Sequence, residues 1–581
     1  MEINYSDQKV IKGKKSIFLA GPTPRDKDIQ SWRPKAIKML EEMGYDGVVY
    51  IPEREYDDRS FDYVKQVWWE REALHNASAI VFWVPRNMKT MPALTTNDEF
   101  GTWVTENPDK VVYGRPKDAE KNRYLDWQYE TESGKTPHET LEDTLEEAMM
   151  IAEERKGLVD EDSYEIGIIN RTIKKYPEIL TLIGDIEFTP EAYGTKSEKT
   201  TYGQTLFKDV NPEQLKEFDR TILSVLLYYY IKHDRYDKFV ELQSGDNMLT
   251  KEDFEELREF MTDTFNIPEK EELLIYYMVI NDLGKSKSVI NMLKEKGIES
   301  IDHDQLLAYM VENNMLPSLE KFDDIYKKNL MNVLRYGFNV GQLTQGECVA
   351  YSLDNVLKLD KFERELMMGE AMLDIGGVLG HSNNRCGSAI LNHSTVENLL
   401  TADYALYNSN DAVRIYNDFL EEKGFVMNID NDYGTDVQRA ITRICLLMRL
   451  WKPSDIDTVK KEIIDNLDYY RPLIDEYNKT GYDGEPGILL YYSPALLNNT
   501  KKYFDNNKSE NSLQDTLKVC LPFLQNTFIG TRSQIGTPEN GVLTVMLRDA
   551  SIQATEDPTK LGEFGVNILN SGEATLQRRL K

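Results

Sequence analysis

Four short apolar runs in the first 115 residues, separated by amphipathic stretches, constrain this chain more than any other feature. The runs are 16–20 (SIFLA), 47–51 (GVVYI), 79–84 (AIVFWV) and 110–113 (KVVY). Their length and near-continuous apolarity fit strands buried on both faces. Residues 30–43, 63–77 and 96–105 carry apolar positions at helical spacing. Strand and helix in alternation predict an α/β domain: a parallel sheet, flavodoxin- or Rossmann-like, with helices on both faces. Ligands of such sheets sit beyond the carboxyl ends of the strands. Those ends are Gly21-Pro22-Thr23, Pro52-Glu53, Pro85-Arg86-Asn87 and Gly114-Arg115-Pro116.

A chain of 581 residues exceeds what one core usually organises, so more than one domain is expected. The α/β domain is assigned to 1–157, ending with the amphipathic stretch LEDTLEEAMMIAEE. Residues 158–205 dissolve into charged and turn-forming pieces such as EAYGTKSEKTTYGQ and are read as a linker or irregular insert. Residues 206–527 are helical in period nearly throughout, an all-α domain without a nameable repeat. The last segment, 528–581, loses that period and is read as an irregular or β-containing tail, with a small hairpin or a docking segment as the choices.

The net charge of −30 repels a nucleic-acid backbone, so the expected partner is a small molecule. Cys348, Cys386, Cys445 and Cys520 lie far apart, which suggests buried, reduced thiols. The polar start MEINYSDQKVIKGKKS and the short apolar run at 223–231 predict no membrane span, and a cytoplasmic protein is the default.

Read in order, SIFLAGPTPRD with a following Trp, WWEREALHNASAIVFWVP, ALTTNDEFGTWV and VVYGRPKDAEKNRYLDW resemble the nucleoside 2-deoxyribosyltransferases and related nucleotide N-glycosidases over residues 14–153. The resemblance implies cleavage or exchange of an N-glycosidic bond, by a carboxylate that attacks the anomeric carbon and forms a glycosyl-enzyme. It implies Glu99 as that nucleophile, with Gly101 allowing close approach of the sugar. The run Thr96-Asn97-Asp98-Glu99 also spells a capping box, in which Glu99 only bonds back to the helix start. The two roles are compatible, because a carboxylate in a first helical turn is held ionised by the helix dipole.

Glu70 and Glu72 are the candidates for a second carboxylate. With Val64, Val67, Trp68 and Leu74 as the buried stripe of that helix, Glu70 falls beside the stripe and Glu72 points away. Glu70 is chosen, a solvated helix charge being the plain alternative. Gly21 and Pro22 open a loop suited to a sugar hydroxyl or a 5′-phosphate, or form an ordinary tight turn. Arg25, Arg86 and Arg115 are unranked candidates for neutralising a phosphate. Trp69 and Trp83 are candidates to flank the base, with core packing favoured for Trp83. The resemblance further implies that Asn122 reaches a neighbouring subunit's site and hence that the protein is a homo-oligomer. No cofactor and no metal are assigned.

In the helical part, IYYMVINDLGKSK resembles the metal-binding helix of HD-type phosphohydrolases, on Asp282, Gly284 and Lys285 with His233 and His303 as further ligands. Asn281 stands where that signature has His, which argues for a degenerate, metal-free relative or chance. A polar cluster with His381, Arg385, Cys386 and His393 is either a binding loop or a hydrogen-bonded helix crossing. The functional expectation is an enzyme acting on a nucleoside or nucleotide, whether transferase or hydrolase. The alternatives are a non-catalytic nucleotide sensor whose helical domain serves assembly, and a fusion with a metal phosphohydrolase.

Overall fold

A computed structural model describes the chain except residues 12–13, 25–28, 55–62, 155–159, 185–199, 208–209, 299–302, 383–386, 536–538, 569–572 and 579–581. It divides into two units, Met1–Leu180 with Ile186–Pro212 and Thr181–Asp185 with Glu213–Lys581.

The first unit is built on β1 (Glu2–Tyr5), β2 (Ser16–Ala20), α1 (Arg33–Glu42), β3 (Val48–Ile51), α2 (Tyr63–Asn76), β4 (Ala79–Trp83), α3 (Leu94–Glu106), β5 (Val111–Gly114), α4 (Arg123–Ser133) and α5 (Leu141–Glu154). Its five strands are all parallel, in the order β1-β3-β2-β4-β5. Alternation along each strand divides the core into two layers. Phe18, Tyr50, Ile80 and Phe82 face Trp69, Phe100, Trp103 and Tyr129 of α2, α3 and α4. Ile17, Leu19, Val49, Val81 and Trp83 face Ala36 and Leu40 of α1 and Leu145, Ala148 and Ile151 of α5. The expected doubly wound α/β domain is therefore present. The edge strand β1 was not foreseen, because EINY is short and polar and buries only Asn4 fully.

Strand order places β2 between β3 and β4. The chain crosses from β2 to β3 on one side and then passes to β4 on the other, which makes the gap between the carboxyl ends of β2 and β4 the topological switch point. The unit continues into α6 (Asp160–Lys175), with Ile166, Ile169 and Ile173 buried at helical spacing, and α7 (Tyr202–Leu206), which opens on a Thr201/Gln204 capping box. Both helices lie in the stretch read as linker or insert, whose charged surface positions hide the period.

The second unit is mainly helical, from Lys216–Lys232 to Arg548–Glu556. It also holds a four-stranded sheet, β6 (Gly487–Tyr491), β7 (Val542–Met546), β8 (Phe564–Ile568) and β9 (Glu573–Arg578), in the order β6-β7-β9-β8. β6, β7 and β9 are parallel, and β8 and β9 form an antiparallel pair. The apolar run GILLY is a strand inside the stretch read as helical, buried beside Leu496, Leu521 and Val545. Among the described residues no helix is long and apolar enough to cross a membrane.

Candidate active site

The β2 end of the switch point is closed by the segment that starts α1. Gly21 has φ +148°, and a Cβ there would collide with the Trp83 carbonyl oxygen and lie 2.9 Å from the Trp32 ring, so this turn needs glycine. Trp32 Nε1 donates to the Pro22 carbonyl at 3.2 Å, and Ser31 Oγ donates to Glu53 at 2.8 Å. Arg33, 1% exposed, donates from Nε to the Leu19 carbonyl (3.0 Å) and from Nη2 to the Gly21 carbonyl (2.6 Å). Its Nη1 donates to Thr23 Oγ1 (3.0 Å) and Glu53 Oε1 (2.6 Å). The polar groups of Ser31-Trp32-Arg33 thus bind the ends of β2 and β3. A cation at the first position of a helix opposes the helix dipole, and that mismatch was the unread sign of a tertiary role.

Across the gap, α3 is fixed by Phe100, fully buried with ring centroids 5.2 Å from Phe82 and 4.9 Å from Tyr113. Its neighbour Glu99 is half-buried and accepts no hydrogen bond from the described residues. The expected capping box does not form. The helix begins at Leu94, after Ala93 in the left-handed region (φ 58°) and with no side-chain cap, and Thr96 is buried inside it. Glu99 therefore stands in the second turn, beyond the reach of the dipole. Burial, with Glu70 and Asp98 nearby, pushes its carboxyl up to about 8, while Arg33 pulls the other way.

Glu70 comes from α2. Gln66 Nε2 bridges it (2.7 Å to Oε1) to the Pro52 carbonyl at the end of β3 (3.0 Å). Burial raises the Glu70 pKa, while Gln66 and Arg33 lower it. Among the described side chains of α2, Trp69, Ala73 and Leu74 are buried and Val67 is half-buried. Trp68 is 65% exposed, a correction to the expected stripe, and the side chain of Val64 lies outside the described residues. Glu70 is half-buried and Glu72 exposed, as the periodicity indicated. The structure thus brings Glu70, Glu99 and Arg33 within electrostatic reach of one another, with Glu53 bonded to the guanidinium. Glu70 and Glu99 occupy one layer, and Arg33 enters from the other helix layer.

The remaining sequence candidates fall elsewhere. Trp69 packs on Phe18 and Tyr50 (centroids 6.3 and 6.4 Å) with its Nε1 buried and without an acceptor, so its faces are taken up by the core. Trp83 is core, lying under Gly114. Gly101 is turned about 200° from Glu99 around the helix, where a Cβ would meet only the Gln128 amide at 3.9 Å, so it does not open a path to Glu99. Asn122 is 3% exposed and donates to the Val84 carbonyl at 3.3 Å, inside its own subunit, with Oδ1 unpartnered. Arg86 is buried, bonded to the Lys121 carbonyl (3.0 Å) and to Asn97. Arg115 is spent on Asp126, at 2.8–3.2 Å, and Tyr113 donates to the same carboxylate. Arg25 lies outside the described residues.

In the second unit, Lys285 pairs with Asp282 at 2.5 Å, and Asn281 donates to Glu370 at 3.0 Å. Glu217 shares a hydrogen bond with Asp282, and burial beside Asp374 lifts Glu370 to about 8. His233 ends the helix Lys216–Lys232, and His303 pairs with Asp304 at 3.3 Å. Among the described residues no group of three or more His, Cys, Asp or Glu is arranged to hold a metal. His393 pairs with Asp253 (2.8 Å) at a crossing where Gln243 donates to the carbonyls of Ser388 and Leu391. Arg385 and Cys386 lie outside the described residues.

Comparison with known proteins assigns both parts. Residues 172–559, well over half of the chain, match a family of unknown function, DUF6829. The chain belongs to this family. Residues 14–118 match the family described as nucleoside 2-deoxyribosyltransferase like, so this DUF6829 member carries such a domain at its amino-terminal side. That match spans β2 to β5 and includes Gly21, Arg33, Glu70 and Glu99, whereas Asn122 falls outside it. The DUF6829 match begins within α6, which packs in the first unit. The likeness to HD-type phosphohydrolases has no counterpart in these matches. No curated protein and no solved structure matches the chain.

Proposed function

We propose that the first unit cleaves or exchanges the N-glycosidic bond of a nucleoside or nucleotide through a glycosyl-enzyme on Glu99. The observation that carries this reading is the half-buried Glu70–Glu99 pair at the switch point, inside the segment matched to the nucleoside 2-deoxyribosyltransferase-like family. Two carboxyl groups that repel each other in a desolvated site hold one proton between them. In that form the pair offers both functions the reaction needs.

The Glu99 carboxylate attacks the anomeric carbon, and the carbon–nitrogen bond breaks with its electrons going to the base. The proton of the pair passes through Glu70 to the departing nitrogen. Water or a second base then takes the sugar from Glu99, and its proton returns to Glu70. The second unit serves assembly or regulation. Incubation with deoxynucleosides, nucleoside monophosphates and dinucleotides, with free base followed by chromatography, tests the proposal. Base release that is lost in Glu99→Ala supports it. Tight nucleotide binding without turnover would instead make the unit a sensor.

A further inference from the structure

Arg33 is among the largest fully buried side chains of the protein. Buried arginines need partners for their charge and for their donors, and one carboxylate usually suffices. Here Glu53 at the end of β3 supplies that partner, at 2.6 Å, while the carbonyls of Leu19 and Gly21 and the Thr23 hydroxyl take further donors. Two more carboxylates nevertheless lie within electrostatic reach of the guanidinium, Glu70 from α2 and Glu99 from α3, and Asp98 adds negative charge near Glu99. Three elements thus bring carboxylates within electrostatic reach of one cation that is locked to the β2-end turn.

We propose that Arg33 is a positioning residue for the Glu70–Glu99 pair, holding the Gly21–Thr23 turn against α1 and supplying the counter-charge that lets one carboxylate of the pair ionise. The role follows from where α3 begins. With Glu99 in the second turn the helix dipole does not ionise it, and a fixed guanidinium in a dry site acts more strongly than a screened surface charge. The inference rests on reading Glu99 as the nucleophile, but its effect on the carboxylates is measurable without turnover.

The test uses Arg33→Gln and Glu53→Gln in the full-length protein, each alone and with Glu99→Gln. In the pH profile of base release, Arg33→Gln is expected to move the midpoint at which the rate rises upward by about one pH unit or more, with kcat falling further than KM changes. Glu53→Gln leaves the guanidinium less neutralised and is expected to move it down. In unfolding experiments, Arg33→Gln is expected to lower the midpoint more at pH 8.5 than at pH 5. That pH dependence is expected to shrink in the Glu99→Gln background. An unmoved profile in both variants, or an identical loss in both backgrounds at both pH values, reduces Arg33 to a structural residue and overturns the proposal. If Arg33→Gln does not fold, Glu53→Gln decides: an unmoved carboxylate titration is the overturning result. If the wild type releases no base while the pH-dependent coupling is present, the glycosidase reading fails and the role of Arg33 stands.

Discussion

Replacing Glu99 by glutamine is expected to stabilise the first unit, by an amount that grows with pH. In the folded protein the Glu99 carboxyl sits at about 8 instead of the usual 4.5, so the folded chain keeps its proton where the unfolded chain has lost it. The contribution of that group is complete below pH 4.5 and declines as pH rises to about 8. At pH 7 the deficit is about 3 kcal/mol, from ~1.36 kcal/mol per pH unit. Glutamine keeps the shape and does not titrate. Glu99→Gln and wild type should therefore unfold alike at pH 4.5 and separate by up to about 3 kcal/mol at pH 7, roughly 6–12 °C for a unit of this size. Six of the seven tryptophans, all but Trp451, lie in the first unit, so fluorescence-monitored unfolding follows it selectively. Equal midpoints at pH 7, or a difference that does not change with pH, would refute the desolvated carboxyl pair. The same substitution should abolish base release, a trade of function against stability.

Other consequences are open to simpler measurements. Base release by wild type should fall as pH rises through about 8, where the Glu70–Glu99 pair loses the proton it passes to the departing base, which a pH–rate profile would show. Gly21→Ala combines a positive φ with a collision against the Trp83 carbonyl and should cost about 1–3 kcal/mol in denaturant unfolding, with activity lost in parallel. Asp126→Ala leaves Arg115 and the Tyr113 hydroxyl without their shared acceptor and should lower stability by about 1–3 kcal/mol. Cys348, Cys445 and Cys520 are fully buried with thiols pushed up to about 12, so a thiol reagent at pH 8 should label at most one cysteine, Cys386, before unfolding.

The α/β unit was legible because parallel strands buried on both faces are written as continuous apolar runs, and 16–20 and 79–84 carry no other pattern. Glu70 and Glu99 were legible through motif order, and Glu70 through helical period as well. What periodicity misjudged was rotation and start point. Of two adjacent tryptophans on α2 the periodicity put Trp68 in the buried stripe, whereas Trp69 is the one that faces the sheet. The Thr-x-x-Glu pattern suggested a helix start at 96, whereas the left-handed Ala93 begins α3 earlier, a choice made by the loop after β4. Arg33 and Glu53 lie on elements separated in sequence and meet only through the strand order. Of the second sheet, β7, β8 and β9 fall in the tail read as irregular or β-containing, whereas β6, five residues long between the helices Leu467–Tyr477 and Ser493–Asn506, was absorbed into the helical stretch.

The central claim is that Glu99 performs the chemistry, and trapping the covalent sugar measures it most directly. Incubation with a 2-fluoro-substituted nucleoside, followed by mass spectrometry of the peptide that carries residues 94–106, should show one added glycosyl group on Glu99 in wild type and none in Glu99→Gln. A protein that releases base while its Glu99 stays unmodified and its Glu99→Gln variant stays active would contradict it.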